Sequence, residues 1–405
     1  MDSVTQFILG ASVGEAVLGR KMGNRAMLWG GIAGTIPDLD VFGNLFLPEF
    51  EALAFHRAIT HSLFFAVVFP FVIAWLVHKL YDKQLYKDKW YRRTGSFVAM
   101  AFLLLIGFGF NFIFYALGDH INITALLITI LLLGFLFYRL LTRYFNSDAH
   151  EVSATYRDWV WLFFWAIVTH PLLDCCTTYG TQLYQPFLDY RVAWNTVSVV
   201  DPMYTIPFLI CLVIAAFYTK GHRWRSYINW IGLIWSTSYL VLGFINKETV
   251  NDAFEKALTQ NEFQYNRYMT SPTLFNGILW YCVAEGDSSF MIGYYSLLDE
   301  MEEASDLVEI PKNHELIHDY EDRQAIHILK WFTDGYYYVM PTSDSTLVLN
   351  DLRFRVYRNK DDETHASAIA FEMKTTPEFE INGRRDRDEN RKELFREFWE
   401  RIKGY

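Results

Sequence analysis

The sequence predicts an α-helical polytopic membrane domain over residues 1–246, followed by a soluble α+β domain over residues 247–405. Long apolar runs are confined to the first part, and about 20 apolar residues in a helix cross a hydrocarbon core of about 30 Å. The second part has the composition of a soluble protein, and its tyrosines alternate with apolar residues as in a half-buried antiparallel sheet.

The first domain is expected to contain six spans and a helical hairpin. The hairpin would pair two shorter apolar runs, 4–18 and 26–36, whose glycines allow close packing. At 1.5 Å per residue the longer run extends only about 22 Å, so we do not expect two full spans there. An amphipathic hairpin on the membrane surface is the alternative. The predicted spans are 62–77, 97–117, 122–138, 158–173, 204–219 and 227–245.

Basic residues set the expected orientation of these spans. One set of connectors is rich in Lys and Arg, as in 20–25, whereas the opposite set contains only Arg57 and Arg191. Cytoplasmic loops carry the excess of Lys and Arg, so the connectors that are poor in these residues should lie on the extracytoplasmic side of the membrane. The last span then delivers residues 247–405 to the extracytoplasmic side. The connectors poor in Lys and Arg, called the outer connectors below, are 37–61, 118–121 and 174–203.

Charge and cysteine content exclude some functions. The formal net charge is −10, which argues against nucleic acid as a partner because phosphate binding needs clustered Lys and Arg. The sequence has four cysteines and no CxxC pair, so neither a disulfide framework nor a structural zinc knuckle is expected.

The first candidate group in the outer connectors is Pro37-Asp38-Leu39-Asp40. Proline ends the preceding helix, and two carboxylates in one turn can face one cation. Carboxylates beside an apolar segment are functional candidates because they are costly unless paired or bound to metal. A helix-terminating turn with solvated aspartates is the alternative.

The second group is His56-Arg57-Ala58-Ile59-Thr60-His61-Ser62, directly before a span. Histidine is the commonest metal ligand near neutral pH. On one helix His56 and His61 would lie about 140° apart, so they can share a site only if His56 precedes the helix. Arg57 suits an anionic group because guanidinium binds carboxylate or phosphate through two bonds. Membrane-interface histidines with a basic anchor are the alternative.

The third group is His170 and Asp174, which a helix places on one face. Such a pair is weak evidence for a metal site on its own.

All three groups, however, fall on one predicted face of the membrane. Together they predict a site for a divalent metal such as zinc, manganese or iron, with zinc favoured. Six ligands exceed the need of one zinc ion, which leaves room for a second metal or for supporting roles. The candidate ligands are Asp38, Asp40, His56, His61, His170 and Asp174.

Four further residues are weaker candidates. Asp119 and His120 lie in a short outer connector that would face the site. Asp201 precedes a proline and is expected to cap the next helix, although it could also reach the site. Gln6 is expected to form hydrogen bonds, since glutamine is a poor ligand for transition metals.

These motifs resemble a bacterial family described as inner-membrane, metal-dependent hydrolases. The resemblance covers roughly residues 1–246 and includes the start Met1–Gln6, PDLD, HRAITHS, and HPLLD followed by Thr177–Gly180. Many members have histidine at the position of Gln6. The family is distantly similar to zinc-dependent phospholipase C, which implies phosphoester hydrolysis.

Two functions follow as hypotheses. The first is a membrane-bound metal-dependent hydrolase acting on a phosphoester or lipid-like substrate at the outer face of the inner membrane, with membrane lipid as a partner. Arg57, Asp38 and Thr60 are its candidate catalytic residues, and Arg57 would hold the anionic substrate. The second is a non-enzymatic membrane scaffold or stress-response protein with a structural metal site. Transport is less favoured because the ionisable residues lie at helix ends rather than at the midplane.

The C-terminal domain shows no nucleophile motif, phosphate loop or metal cluster in its sequence. We expect a helical stretch over 249–268 and a helix over 320–333. His314, His318 and His327 are expected on the surface. The domain would cover the site, bind substrate or recruit a partner.

Overall fold

The computed structural model describes most of the chain, and its residues fall into two compact units. One unit comprises Met1–Pro70 with Trp161–Tyr405, and the other comprises Phe71–Val160. The metal-site candidates and the C-terminal sheets belong to the first unit. The described residues are 1–118, 123–142, 153–301, 303–343, 346–358, 365–375, 379–384 and 391–404.

The chain begins with a helical hairpin of α1 (Ser3–Met22) and α2 (Asn24–Thr35). Asp2 caps α1 by accepting a hydrogen bond from the backbone N–H of Thr5. A methyl group at Gly30 would overlap the carbonyl oxygen of Gly10. The predicted hairpin and the close packing of its glycines are confirmed.

Each of the six predicted spans overlaps a helix. The short 3₁₀ helices Pro37–Leu45 and Ile59–His61 precede α3 and α4 respectively. The further helices are α3 (Glu49–Phe55), α4 (Leu63–Asp82), α5 (Lys89–Gly118), α6 (Ile123–Leu140), α7 (Tyr156–Asp174), α8 (Pro202–Phe217) and α9 (Arg223–Gln260).

Two of the described helices, α4 and α9, are long and apolar enough to cross a membrane. α6 and α8 contain shorter apolar stretches. The helical character of the N-terminal region is therefore confirmed, and the six-span arrangement stays a prediction.

The C-terminal region folds into antiparallel sheets. The first sheet has the order β1-β2-β3-β4, the second has the order β10-β9-β6-β5, and β7 pairs with β8. The strands are β1 (Arg267–Pro272), β2 (Leu279–Glu285), β3 (Ser289–Ser296), β4 (Ser305–Pro311), β5 (Tyr337–Ser343), β6 (Thr346–Asp351), β7 (Val356–Arg358), β8 (His365–Ser367), β9 (Ala370–Lys374) and β10 (Glu380–Arg384).

These sheets are stacked between helices. Phe254 of α9 and Trp280 lie in a core on one face of the first sheet, and Tyr281 and Tyr338 lie in a core between the two sheets. The second sheet packs on α10 (Gln324–Phe332). The terminal helix α11 (Arg391–Ile402) buries Phe398 and Ile402 against Leu279 at the start of β2. This architecture confirms the predicted α+β class.

Two expectations about this region are wrong. The predicted helix over 249–268 ends at Gln260, because Glu262 adopts φ +53° and Arg267 begins a strand paired with β2. Residues 246 and 247 both lie inside the continuous helix α9, and the division of the chain at this point stays a prediction. His318 and His327 are exposed, but His314 is half-buried and stacks on Tyr337.

Candidate metal centre

Four predicted ligands from three stretches of chain meet at one point. Asp38 lies in the 3₁₀ helix after α2, His61 ends the 3₁₀ helix before α4, and His170 and Asp174 occupy the last turn of α7. One ligand atom from each lies within 4.8 Å of the others, so this group could hold a metal ion.

The spacing of the ligand atoms fits a single ion. Asp38 Oδ1 lies 3.6 Å from His61 Nε2 and 3.4 Å from His170 Nε2. Asp174 Oδ2 lies 3.4 Å from each of these nitrogens, and the two nitrogens are 3.0 Å apart. A tetrahedral ion with ligands at 2.0–2.1 Å requires edges of about 3.3–3.4 Å. Four of these separations are close to those edges and the distance between the two nitrogens is shorter, while the two carboxylate oxygens lie within 4.8 Å of each other.

The partners of the two imidazoles place the proton of each neutral ring on Nδ1, which leaves Nε2 free to bind a metal ion. His170 Nδ1 lies 2.5 Å from the carbonyl oxygen of Gly34, which can only accept a hydrogen bond, so Nδ1 carries the proton. Thr60 donates its hydroxyl proton to Asp40 Oδ2 and can only accept from His61 Nδ1 at 3.1 Å. Two neutral rings in these tautomers would point lone pairs at each other across 3.0 Å, so the pair calls for a positive charge between the nitrogens, either a proton on His61 or a metal cation in its place.

A buried carboxylate oxygen also fits a role as a metal ligand. Asp174 Oδ2 is buried and accepts no hydrogen bond, although Arg57 Nε, His61 Nε2 and His170 Nε2 each lie 3.4 Å from it. Buried polar atoms without a partner are uncommon in folded proteins. A metal ion among the four ligands would bind this oxygen.

The other oxygen of Asp174 contacts Gln6 and the chain terminus. Gln6 Nε2 donates to Asp174 Oδ1 at 3.0 Å and to the carbonyl of His170 at 3.2 Å. The Met1 amino group also contacts this oxygen. The hydrogen-bonding role expected for Gln6 is present in the structure.

Asp40 and His56 lie in a layer behind the four converging ligands. Asp40 Oδ2 lies 3.2 Å from His61 Nδ1, on the side of the ring opposite the ligand cluster. Asp40 Oδ1 lies 2.8 Å from His56 Nδ1. A carboxylate in this position fixes the orientation of a ligating imidazole. The direct ligand roles expected for Asp40 and His56 stay predictions.

Arg57 reaches the cluster because the backbone bends sharply at this residue. Its φ of +58° is stabilised by a hydrogen bond from its backbone N–H to Asp40 Oδ2 at 2.8 Å. The guanidinium donates to Thr177 Oγ1 at 2.9 Å, and its Nε has no hydrogen-bond partner. The side chain thus places a buried positive charge beside Asp174.

The electrostatics of the cluster favour a positive charge at its centre. Burial alone would lower the pKa of His61, but contacts with Asp174, Asp38 and Asp40 raise that pKa to about 10. Burial would raise the pKa of Asp38, but hydrogen bonds with His170 and His61 hold it well below its usual value. The carboxylates therefore remain charged, and they stabilise any cation placed between them.

Only one of the four ligand side chains reaches the surface. Asp38 has 18% of its side chain exposed, whereas His61, His170 and Asp174 are fully buried. A small molecule would therefore reach the cluster from the Asp38 side.

Asp201 is not among the four converging ligands. Asp201 caps α8 by accepting from the backbone of Met203 and Tyr204, as expected, and also accepts from Tyr239 at 2.8 Å. Asp119 and His120 lie outside the described residues.

Tyr179 is a contact residue that the sequence patterns did not indicate. Its ring lies 5.2 Å from the ring of His56 and 4.9 Å from the guanidinium carbon of Arg57. The same ring lies 5.3 Å from Phe332 of α10 and 5.0 Å from Arg191. A tyrosine in a loop carries no spacing signal, so only the folded chain reveals this connection.

The profile of the YdjM inner membrane protein family matches residues 1–250. Comparison with curated proteins and with solved structures finds no match. The matched region includes both 3₁₀ helices, α7 and every residue of the ligand cluster. The chain therefore belongs to the YdjM inner membrane protein family.

Proposed function

We propose that this protein is a membrane-bound metal-dependent hydrolase that acts on a phosphoester or lipid-like substrate at the outer face of the inner membrane. The convergence of two imidazole nitrogens and two carboxylate oxygens within 4.8 Å of one another carries the proposal. Nitrogen and oxygen ligands at this spacing favour zinc.

The ligand cluster would supply the chemistry of a Lewis acid. A divalent cation bound there lowers the pKa of water and stabilises negative charge on a phosphoryl group. Arg57, buried beside Asp174, binds an anionic group through its guanidinium. Asp38 has the exposed carboxylate, which suits it to accept a proton from water.

Thr60 and Asp40 would act as positioning residues. Both contact His61 Nδ1 and hold the ring with its Nε2 toward Asp38 and Asp174. These contacts favour a supporting role for Thr60 over direct contact with substrate.

A structural metal site in a scaffold or stress-response protein is the second candidate. Structural zinc sites have four protein ligands, whereas catalytic sites keep one position open. The four-ligand cluster and the complete burial of three of its members favour this alternative. A catalytic site here requires Asp38, the exposed ligand, to give way to substrate or water.

Metal content and turnover of the purified protein separate these proposals. We expect close to one zinc ion per chain and hydrolysis of a phosphoester or phospholipid. A double variant Asp38→Ala/His61→Ala should lose the bound zinc and the hydrolytic activity. The control variant His327→Ala, at an exposed position, should keep the zinc and the activity. Full metal retention in the double variant would contradict the metal centre.

The variant Asp38→Asn tests catalysis separately. An amide oxygen remains a weak ligand but cannot accept a proton, so turnover should fall much further than metal content. Stoichiometric zinc without turnover in the unsubstituted protein would favour the structural site.

A further inference from the structure

The segment Leu39–Pro48, which begins directly after Asp38, exposes only uncharged side chains. Its single charged residue, Asp40, is buried against His61. Leu45 is 73% exposed and Phe46 is 84% exposed. Soluble surfaces seldom gather large apolar side chains in this way, and an exposed apolar patch marks a contact with protein or membrane.

A second segment, Tyr184–Leu188, has the same character. Phe187 is 77% exposed, and the neighbouring exposed side chains include Tyr184 and Leu188. This segment contains no charged residue. The segment is attached to the metal centre, because the Gln182 backbone N–H donates to the carbonyl of Arg57 at 3.0 Å.

The second segment continues onto the surface of a candidate span. The backbone N–H of Leu63, the first residue of α4, donates to the carbonyl of Leu183 at 3.0 Å. The ring of Phe64 lies 6.2 Å from that of Phe187. Phe64 and Val67 are themselves exposed along α4. The apolar surface therefore runs without interruption from α4 to Phe187.

Glu49, the residue that follows the first segment, contacts the C-terminal region. The Glu49 carboxylate accepts a hydrogen bond from the backbone of Gly383 in β10. Leu53, on the same helix, packs into the core of the C-terminal region. The helix α3 thus faces the C-terminal sheets, and the exposed side chains of Leu39–Pro48 remain uncovered by the described residues.

We infer that Leu39–Pro48 and Tyr184–Leu188 form an interfacial surface that inserts into the headgroup and upper acyl layer of the bilayer crossed by α4. Aromatic and aliphatic side chains prefer this layer. The surface places the metal centre at the level of the lipid headgroups, with Asp38 adjacent to the inserted Leu39. Entry of an amphiphilic substrate from the bilayer rests on the proposed function, but the membrane contact itself does not.

Nitroxide labels in the full chain test this contact without any activity measurement. Labels at Phe46→Cys and Phe187→Cys would be compared in phosphatidylcholine/phosphatidylglycerol vesicles with a label at Leu298→Cys. Leu298 is 55% exposed in the C-terminal region. The unsubstituted chain corrects for labelling of its native cysteines, of which three are buried.

Collisions with oxygen, which partitions into lipid, are compared with collisions with water-soluble chromium oxalate. We expect oxygen to dominate at positions 46 and 187 and chromium oxalate to dominate at position 298. Chromium oxalate dominating at 46 and 187 would overturn the inference. Shielding from both reagents would also overturn it, because a protein partner or a second copy would then cover the surface.

Discussion

The ring of Tyr179 packs edge to face on Phe332, with centroids 5.3 Å apart. This contact joins the loop after Asp174 to α10 of the C-terminal region. Arg191 strengthens the junction, since its guanidinium donates to the carbonyls of Phe332 and Tyr179. Because Tyr179 also contacts His56 and Arg57, the C-terminal sheets and the metal centre share one packed layer.

Replacing Tyr179 by leucine should loosen this layer. The change removes two aromatic pairs and two cation–π contacts, each of about 0.5–1.5 kcal/mol. We expect a loss of about 2–4 kcal/mol of unfolding free energy, measured as a lower midpoint of thermal unfolding. Tyr179→Phe keeps the ring and should remain close to the unsubstituted protein. An equal loss in both variants would assign the effect to the hydroxyl group instead.

Removal of the metal should destabilise the protein. A ligand that binds only the folded state stabilises it by about 2.7 kcal/mol at a hundredfold excess over Kd. A strong chelator should therefore lower the unfolding temperature, and added zinc should restore it. In His61→Ala the chelator should have no effect, and a full chelator response in that variant would show that the stabilising ion binds elsewhere.

Asp40→Asn should weaken metal binding without removing any of the four converging ligands. The change removes the charge that supports the His61 ring, and loss of such partners typically costs 10–100-fold in affinity. Competition with a zinc-sensitive dye measures the change. Asp319→Asn is a matched control, since Asp319 is exposed in the C-terminal region. Equal affinities for the two variants would remove Asp40 from the supporting layer.

Gly30→Ala should destabilise the hairpin by about 1–3 kcal/mol through overpacking. A Cβ at this position would overlap the carbonyl oxygen of Gly10 and lie 2.8 Å from the Cα of Gly14. Gly134→Ala in α6 is the matched control, since a Cβ there meets no atom within 4 Å. Alanine is the better helix former, so the control should be neutral or stabilising by up to about 1 kcal/mol. Thermal unfolding compares the two, and a neutral Gly30→Ala would contradict the close packing of α1 and α2.

The four converging ligands could be predicted because each lies in a short sequence pattern that can be recognised locally. Asp38 follows a helix-ending proline, His61 precedes an apolar run, and His170 and Asp174 are spaced to share a helix face. The charge of the connectors then predicted that all three stretches lie on one face of the membrane. Their approach to within 4.8 Å in the structure agrees with that grouping.

Two other features depend on three-dimensional orientation and could not be predicted. The position of Asp40 behind His61 depends on which ring nitrogen faces the cluster, and the PDLD spacing alone contains no such information. The contact of Tyr179 with Phe332 joins residues far apart in the chain, and the motif stretch that contains Tyr179 does not indicate this partner. Long-range packing of this kind leaves no period in the sequence.

The continuity of α9 has a mechanical consequence. This helix has 38 residues and extends about 57 Å at 1.5 Å per residue. It leads from a candidate membrane span to Val250 and Phe254, which lie in the core beneath the first sheet. No flexible linker interrupts the helix, so a tilt or rotation of the span within the bilayer also moves Val250 and Phe254. The thickness of the bilayer and the position of the first sheet are therefore coupled through one continuous helix.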